Sequence, residues 1–288
     1  MEPVIRPGRP EDHAAIAAWT QNTFTWGDYV ADRWDDWMAD PDCEVAVADV
    51  DGRPVALSRV AMVSSTEAWS NAARVHPDHR RQGLATAVAS RLWPWAAERG
   101  ARVVRLAVED WNEAAHGQVI AMGFHRTSSW FHGSRGVGEN SPVPTGNGGR
   151  RVAGAEGLRP AHGAEAEPAL LSWDGGELCR AAGGLFPTGW TWRQLRLEHL
   201  VEAARDRALW EGRPGWAVAS VDDEAMRVQW LETSEEDAAA LVRALVDRAA
   251  DIGVERLQMM IPAVPWLRRA LGRADFELTG LGVYTLPL

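Results

Sequence analysis

Lysine is absent: all 30 Lys+Arg positions of this 288-residue chain are arginine. Biased codon usage is the favoured account of the absence; the sharper reading is that no lysine side chain of its own is open to chemistry the protein performs. Cysteine occurs only as Cys43 and Cys179, too few and too far apart for a disulfide framework or a cysteine-based metal site. No apolar run reaches the roughly 18 residues of a membrane-spanning helix. The opening MEPVIRPGRPEDH lacks the apolar middle and small-residue cleavage site of a signal peptide. Excess positive charge is missing too. A formal net charge of −10 argues against nucleic acid or an anionic membrane as partner, since both need a basic footprint. The expectation is a soluble, cytoplasmic monomer or homodimer that holds no metal and whose anion sites are local.

What is present is 16 tryptophans and a pattern that occurs twice. Residues 133–157, GSRGVGENSPVPTGNGGRRVAGAEG, are dense in Gly, Pro, Ser and Asn with no apolar period, which reads as a connection between domains. On either side the same signals recur in the same order. RPGRPEDHAAIAAW from Arg6 is echoed by RPAHGAEAEPALLSW from Arg159, RLAV at Arg105 by RLQMM at Arg256, and GFHRTSSW at Gly123 by DFELTGLG at Asp275. Near-constant spacing of this kind indicates a duplicated domain, with expected boundaries at 1–135, a linker at 136–157, and 158–288.

In the first half, a short strand over Val4–Arg6 leads into a helix from about Glu11, and a second helix covers roughly Tyr29–Met38. Alternating segments on either side of Asp51-Gly52 predict a hairpin. The strand EAWSNAARV then ends at Val75, a helix with Pro94 inside it runs from about Gly83 to Glu98, RVVRLAV is a buried strand, and a last helix spans about Asn112–Met122. Pro94 predicts a kink. Antiparallel strands followed by a strand, helix, strand crossover make an α/β pattern built on a mixed sheet. Between the Val75 strand and its helix lies VHPDHRRQGLATA. A glycine turn entering a helix offers unpaired amides and the positive end of the macrodipole, an anion cradle suited to phosphate or pyrophosphate.

These residues resemble the GNAT superfamily of acyl-CoA-dependent N-acyltransferases. The signature of Arg or Gln, two variable residues, Gly, one variable residue, then Gly or Ala is matched by Arg80-Arg81-Gln82-Gly83-Leu84-Ala85. The likeness continues through RLAVEDWNEAA, with Asn112 and Ala115 at familiar positions, to Met122–Phe124. The resemblance implies acetyl-CoA as cosubstrate. Its pantetheine arm would lie along the backbone of Arg74 and Val75 in a splay between two parallel strands, its pyrophosphate on amides from Arg81 to Thr86 beside Arg80, with Asn112 touching the arm. It also implies direct attack of an amine on the thioester, with a tyrosine on the last helix stabilising the departing thiolate.

The tyrosine position, seven residues after Asn112, holds Val119, and His116 one turn earlier is the candidate replacement. Counting alternate residues back from Val75 puts Ala73, Asn71, Trp69 and Glu67 on one face. Glu67 is the only carboxylate among them, and burial beside tryptophan suits a group that takes up protons. Asp110 is the second candidate base. For the acceptor, Phe24, Trp26, Tyr29 and Trp69 are expected to line a cleft with Asp28 at its mouth, favouring aromatic or hydrophobic amines. In the second half, the junction ETSEEDAAALVRAL places Glu232, Glu235, Glu236 and Asp237 where the cradle would be, with Ser234 and Asp237 as a capping box. That charge repels a pyrophosphate, so the second domain is expected to be a degenerate GNAT-like repeat without CoA. Trp192–Asp206 is read as one helix. The function expected is an N-acetyltransferase acting on a primary amine of a small molecule, an antibiotic or a peptide N-terminus. The alternative is a CoA-binding regulatory or sensor protein that does not turn over.

Overall fold

The computed structural model describes residues 2–24, 27–137 and 157–288. The expected linker therefore falls almost wholly outside the described residues. In chain order the elements are β1 (Val4–Pro7), α1 (His13–Thr20), α2 (Val30–Ala39), β2 (Cys43–Val50), β3 (Arg53–Ser64), β4 (Glu67–Val75), α3 (Leu84–Glu98), β5 (Val103–Glu109), α4 (Glu113–Ala121) and β6 (His125–Gly136). They continue with β7 (Arg159–Pro160), α5 (Ala166–Trp173), α6 (Glu177–Ala182), β8 (Leu185–Thr188), β9 (Thr191–Gln194), α7 (Leu197–Arg205), β10 (Leu209–Gly212), β11 (Gly215–Val221) and β12 (Ala225–Glu232). The last four are α8 (Ala238–Ile252), β13 (Arg256–Pro262), α9 (Pro265–Arg273) and β14 (Glu277–Pro287).

Two compact units are formed, and neither is a single stretch of chain. The first comprises Met1–Ala107, Glu113–His125 and Tyr284–Leu288; the second comprises Val108–Asn112 and Arg126–Val283. The boundaries drawn from the sequence thus differ from the packing at three places, the first being Val108–Asn112, which clusters with the second unit. Strand β6, apart from its first residue, clusters with the second unit, where it pairs antiparallel with β13. The last residues of the chain cluster with the first, where Leu288 N–H donates to Arg102 O at 2.9 Å.

In the first unit the sheet runs β1-β2-β3-β4-β5, antiparallel as far as β4 and parallel between β4 and β5. Helix α2 buries Val30, Trp34 and Trp37, a stripe at the helical period. With Ile16 of α1 these pack on Val45, Val47, Leu57 and Ala61 of the sheet, and the Trp34 indole N–H donates to Arg9 O at 3.2 Å. Helix α3 buries Leu84, Val88, Leu92 and Ala96 and runs unbroken through Pro94. The carbonyl left without its amide partner there belongs to Ser90, which is exposed.

The second unit repeats this order of elements with β8, β9 and α7 added between α6 and β10, and it too has a parallel pair, β12–β13. The likeness extends to side chains. Arg6 of β1 binds Asp12 at the entry to α1 and Asp49 of β2, at 2.7 and 2.8 Å. Arg159 of β7 binds Glu165 at the entry to α5, at 2.5 Å, and Glu211 of β10. Each guanidinium ties a first strand to the next helix and strand, so the duplication is one of structure as well as sequence. One sequence expectation fails here. Trp192–Gln194 lie in β9, paired with Leu185–Phe186–Pro187, and the helix begins only at Leu197, where the Arg196 N–H donates to His199 Nδ1 at 3.1 Å. Strand pairing across the Gly189-Trp190 turn outweighs the local helical pattern.

Candidate acyl-donor site

Strand β4 does not keep a simple alternation. Ala72 has φ +59°, and the β3–β4 register slips between Leu57↔Arg74 and Arg59↔Asn71, so Ala72 and Ala73 together oppose Ser58. This is a β-bulge, which turns the strand and shifts its facing by one residue. Counting alternate residues back from Val75 therefore fails: Trp69 and Asn71 share the face of Arg74, opposite Ala61 and Arg59. Beyond the bulge the strand also leaves its parallel neighbour. The β4–β5 ladder covers Glu67↔Val103, Ala68↔Val104 and Trp69↔Arg105 and goes no further. From Ser70 to Val75 a gap opens beside β4, and the backbone of Arg74 and Val75 borders it.

At the end of β4 a 3-10 turn over Pro77–His79 leads into the cradle. Arg81 and Gly83 both have positive φ, +61° and +75°. Gly83 caps α3, and the first helical bond runs from Ala87 N–H to Gly83 O at 3.0 Å. The amides of Arg81, Gln82, Gly83, Leu84, Ala85 and Thr86 find no acceptor among the described residues. A Cβ built on Gly83 would meet nothing within 4 Å, so the space over those amides is open. Arg80, Arg81 and Gln82 are exposed, whereas Leu84 is buried and anchors the helix. Converging amides, a helix N-terminus and two arginines make a site for a di-anionic group.

The candidate bases are placed otherwise than expected. Glu67 is buried, and its carboxylate is ion-paired with Arg105, with Ser64 Oγ donating to it at 3.2 Å. A carboxylate held by a buried guanidinium is a structural ion pair, not a free proton acceptor. Asp110 lies in the segment that clusters with the second unit, paired with Arg126 at 2.8 Å. Asn112 belongs to the same segment, its N–H donating to Glu109 O at 2.9 Å. His116 stays in the first unit, on α4, with Nδ1 2.7 Å from the Tyr284 hydroxyl. Val119 is buried on the same helix. Tyr284 was not visible to a local reading of the sequence, because it arrives from the far end of the chain.

The expected aromatic cleft is occupied by the protein itself. Trp26 lies outside the described residues. Asp28 has a fully buried side chain that accepts from Arg74 Nε at 2.8 Å, and the Arg74 guanidinium stands over the rings of Phe24 and Tyr29, at 4.9 and 5.5 Å. Trp69 is only 3 % exposed. Asp28 is thus not a free carboxylate at a mouth, and Phe24 and Tyr29 hold an arginine in place of an acceptor. The bulge explains this arrangement, since it turns Arg74 onto the face that carries Tyr29. Among the described residues, no group of three or more His, Cys, Asp or Glu stands close enough to hold a metal.

Residues 13–124 match the model of the GNAT acetyltransferase family, a span that holds the bulged strand, the gap and the cradle. Residues 13–124 are a GNAT acetyltransferase domain. No curated protein matches the chain. Among solved structures, a GCN5-related N-acetyltransferase from Sphaerobacter thermophilus superposes with a TM-score of 0.63 at 15% identity, over 99% of this chain and 95% of that one. A GCN5-related N-acetyltransferase from Kribbella flavida gives 0.54 at 13%, over 100% of this chain and 72% of that one. A tandem GNAT protein from the clavulanic acid biosynthesis pathway gives 0.54 at 15%, over 99% and 98%. These likenesses establish a shared fold, and the last shows that two GNAT units in one chain have a precedent over its full length. The GNAT domain here is followed by a second unit whose fold repeats it.

Proposed function

We propose that the protein is an acetyl-CoA-dependent N-acetyltransferase that acylates a primary amine of a small molecule, an antibiotic or a peptide N-terminus. The observation that carries this reading is the open cradle of unpaired amides at Arg81 to Thr86, placed at the end of a bulged strand that parts from its neighbour. Acetyl-CoA fits it: the space a Cβ on Gly83 would take is free for a pyrophosphate, and Arg80 and Arg81 add charge-assisted contacts. When bound, acetyl-CoA supplies an activated acyl thioester. The chain's own share is to hold that anion, to offer the backbone of Arg74 and Val75 along the gap, and to bring His116 to the leaving group. With Glu67 engaged by Arg105, the surplus proton of the amine passes to water. Aromatic selectivity for the acceptor no longer follows, because two of the rings expected to provide it, Phe24 and Tyr29, enclose Arg74.

The second unit takes no CoA in this reading, and one CoA binds per chain. The test is to incubate the full chain with acetyl-CoA and a panel of primary amines, following free thiol and acylated product by mass. Thiol release that depends on an amine supports transfer. Tight CoA binding without thiol release across the panel supports the sensor reading instead.

A further inference from the structure

The imidazole of His116 and the phenol of Tyr284 meet at 2.7 Å across 168 residues of sequence, with ring centroids 5.7 Å apart. Tyr284 is one of only two tyrosines in the chain and is 3 % exposed, whereas His116 keeps part of its surface. Leu288 N–H donates to Arg102 O, and Asp110 N–H donates to Gly280 O, both at 2.9 Å. Strands β5 and β14 are neighbours in the sheet, and both bonds fit an antiparallel register in which Tyr284 stands opposite Leu106. Leu106 follows Arg105, the last β5 residue that β4 pairs with. Phenol and imidazole therefore meet beside the point where the two parallel strands part.

A hydroxyl partner on Nδ1 commits that nitrogen and leaves Nε2 as the one that exchanges a proton. Val119, one turn further along the same helix, has no proton to give. We infer that Tyr284 is the positioning residue for His116, holding the proton on Nδ1 so that Nε2 delivers one to the sulfur that leaves an acyl thioester. This rests on the acetyltransferase reading above. In that step the amine nitrogen forms the new C–N bond, and the C–S bond breaks with its electron pair on sulfur. The amine's surplus proton goes to water, and the Nε2 proton passes from imidazolium to sulfur. Neutral imidazole remains, its Nδ1–H donating to the Tyr284 oxygen. The acid function of the first unit thus depends on the last five residues of the chain.

The test joins nitrogen NMR of the His116 ring in the free full-length protein to steady-state kinetics of Tyr284→Phe, His116→Gln and the double variant. Phenylalanine keeps the buried ring and removes only the hydroxyl. The expected spectrum shows the neutral proton on Nδ1 in the parent and a mixture of tautomers in Tyr284→Phe. Turnover is expected to fall about ten-fold in Tyr284→Phe, with KM for acetyl-CoA within about two-fold, and the double variant should be no slower than His116→Gln alone. An unchanged tautomer, additive losses, or parental turnover in His116→Gln would each overturn the assignment. A parent that releases no thiol with any amine defeats the acetyltransferase reading instead, and the tautomer in the free protein still decides whether Tyr284 positions His116.

Discussion

Helices α3 and α8 follow the same turn of the same repeated fold, yet their N-termini are built for opposite purposes. Before α3 stand Arg80, Arg81 and Gly83, with amides left open from Arg81 to Thr86. Before α8 stand Glu235, Glu236 and Asp237. There the Asp237 N–H donates to Ser234 Oγ at 3.1 Å and the Ala238 N–H to Ser234 O at 2.9 Å, so the protein satisfies its own helix end. The strand ahead of each helix has kept its shape: β12 also slips register against β11, with Gln229 its extra residue, and its ladder with β13 stops at Val228. Sheet geometry was retained in both units while the anion cradle survives in one. A bulged strand beside a gap is thus a property of the fold, whereas the charge and capping at the next helix differ between the two units.

The contrast extends to the carboxylates. The first unit buries Glu67 against Arg105, and the second half-buries Glu232 with Ser172 as its hydrogen-bonding side chain, so burial pushes the Glu232 carboxyl up to about 7. One is held by a guanidinium, the other is raised towards neutrality by burial.

Five measurements would break or sharpen the comparison. The largest effect is expected from Gly83→Leu. It costs about 1 kcal/mol of left-handed strain in the backbone and puts a side chain over the open amides, so acetyl-CoA binding by calorimetry should weaken at least about 100-fold in a chain that still folds. Unchanged affinity would remove the cradle from the account. Next, Glu67→Gln leaves Arg105 buried and uncompensated, and a loss of roughly 3 kcal/mol in denaturant unfolding is expected. Little change in stability, with turnover abolished, would restore Glu67 as the base. Third, Arg80→Glu with Arg81→Glu gives α3 a charge like that of α8 and should weaken acetyl-CoA about ten-fold, less so at high salt. Neutralising Glu235, Glu236 and Asp237 should leave one CoA per chain, because the Ser234 cap still closes that end; two equivalents by calorimetry would contradict it.

The smallest effect concerns Glu232. Its folded value of about 7 lies above its ordinary 4.5, so between those limits the folded chain holds a proton that the unfolded chain has released. Stability from this group is then full below about pH 4.5 and is lost as pH rises to about 7, by on the order of 1 kcal/mol after solvent screening. Glu232→Gln should flatten that part of the pH–stability curve, and melting curves across pH 4.5 to 8 would show it. An unaltered slope would mean that the carboxyl is already ionised.

Much of the site was readable in the linear chain because it is local. The run from Arg80 to Thr86 needs only a strand before it and a helix after it, and Gly83 at a helix entry signals its backbone conformation directly. The duplication was equally plain, since Arg6 and Arg159 each stand at the same place in a strand, helix, strand motif. Reading failed where one residue resets the facing of its whole strand. Ala72 carries no mark of a bulge, yet its positive φ shifts every face before it, which is why Glu67 and Trp69 could not be placed by alternation. Asp28 looked free because its partner Arg74 is 46 residues away.

What the sequence by itself determined is the order of elements, the pairing of two units and the anion cradle, all set by periodicity, capping and short-range backbone preference. Tertiary structure alone decided which strand ends complete which unit, that Glu67 faces Arg105, and that Tyr284 reaches His116. Those depend on sheet register and on long-range pairing of side chains, and neither quantity is written in any window short enough to read.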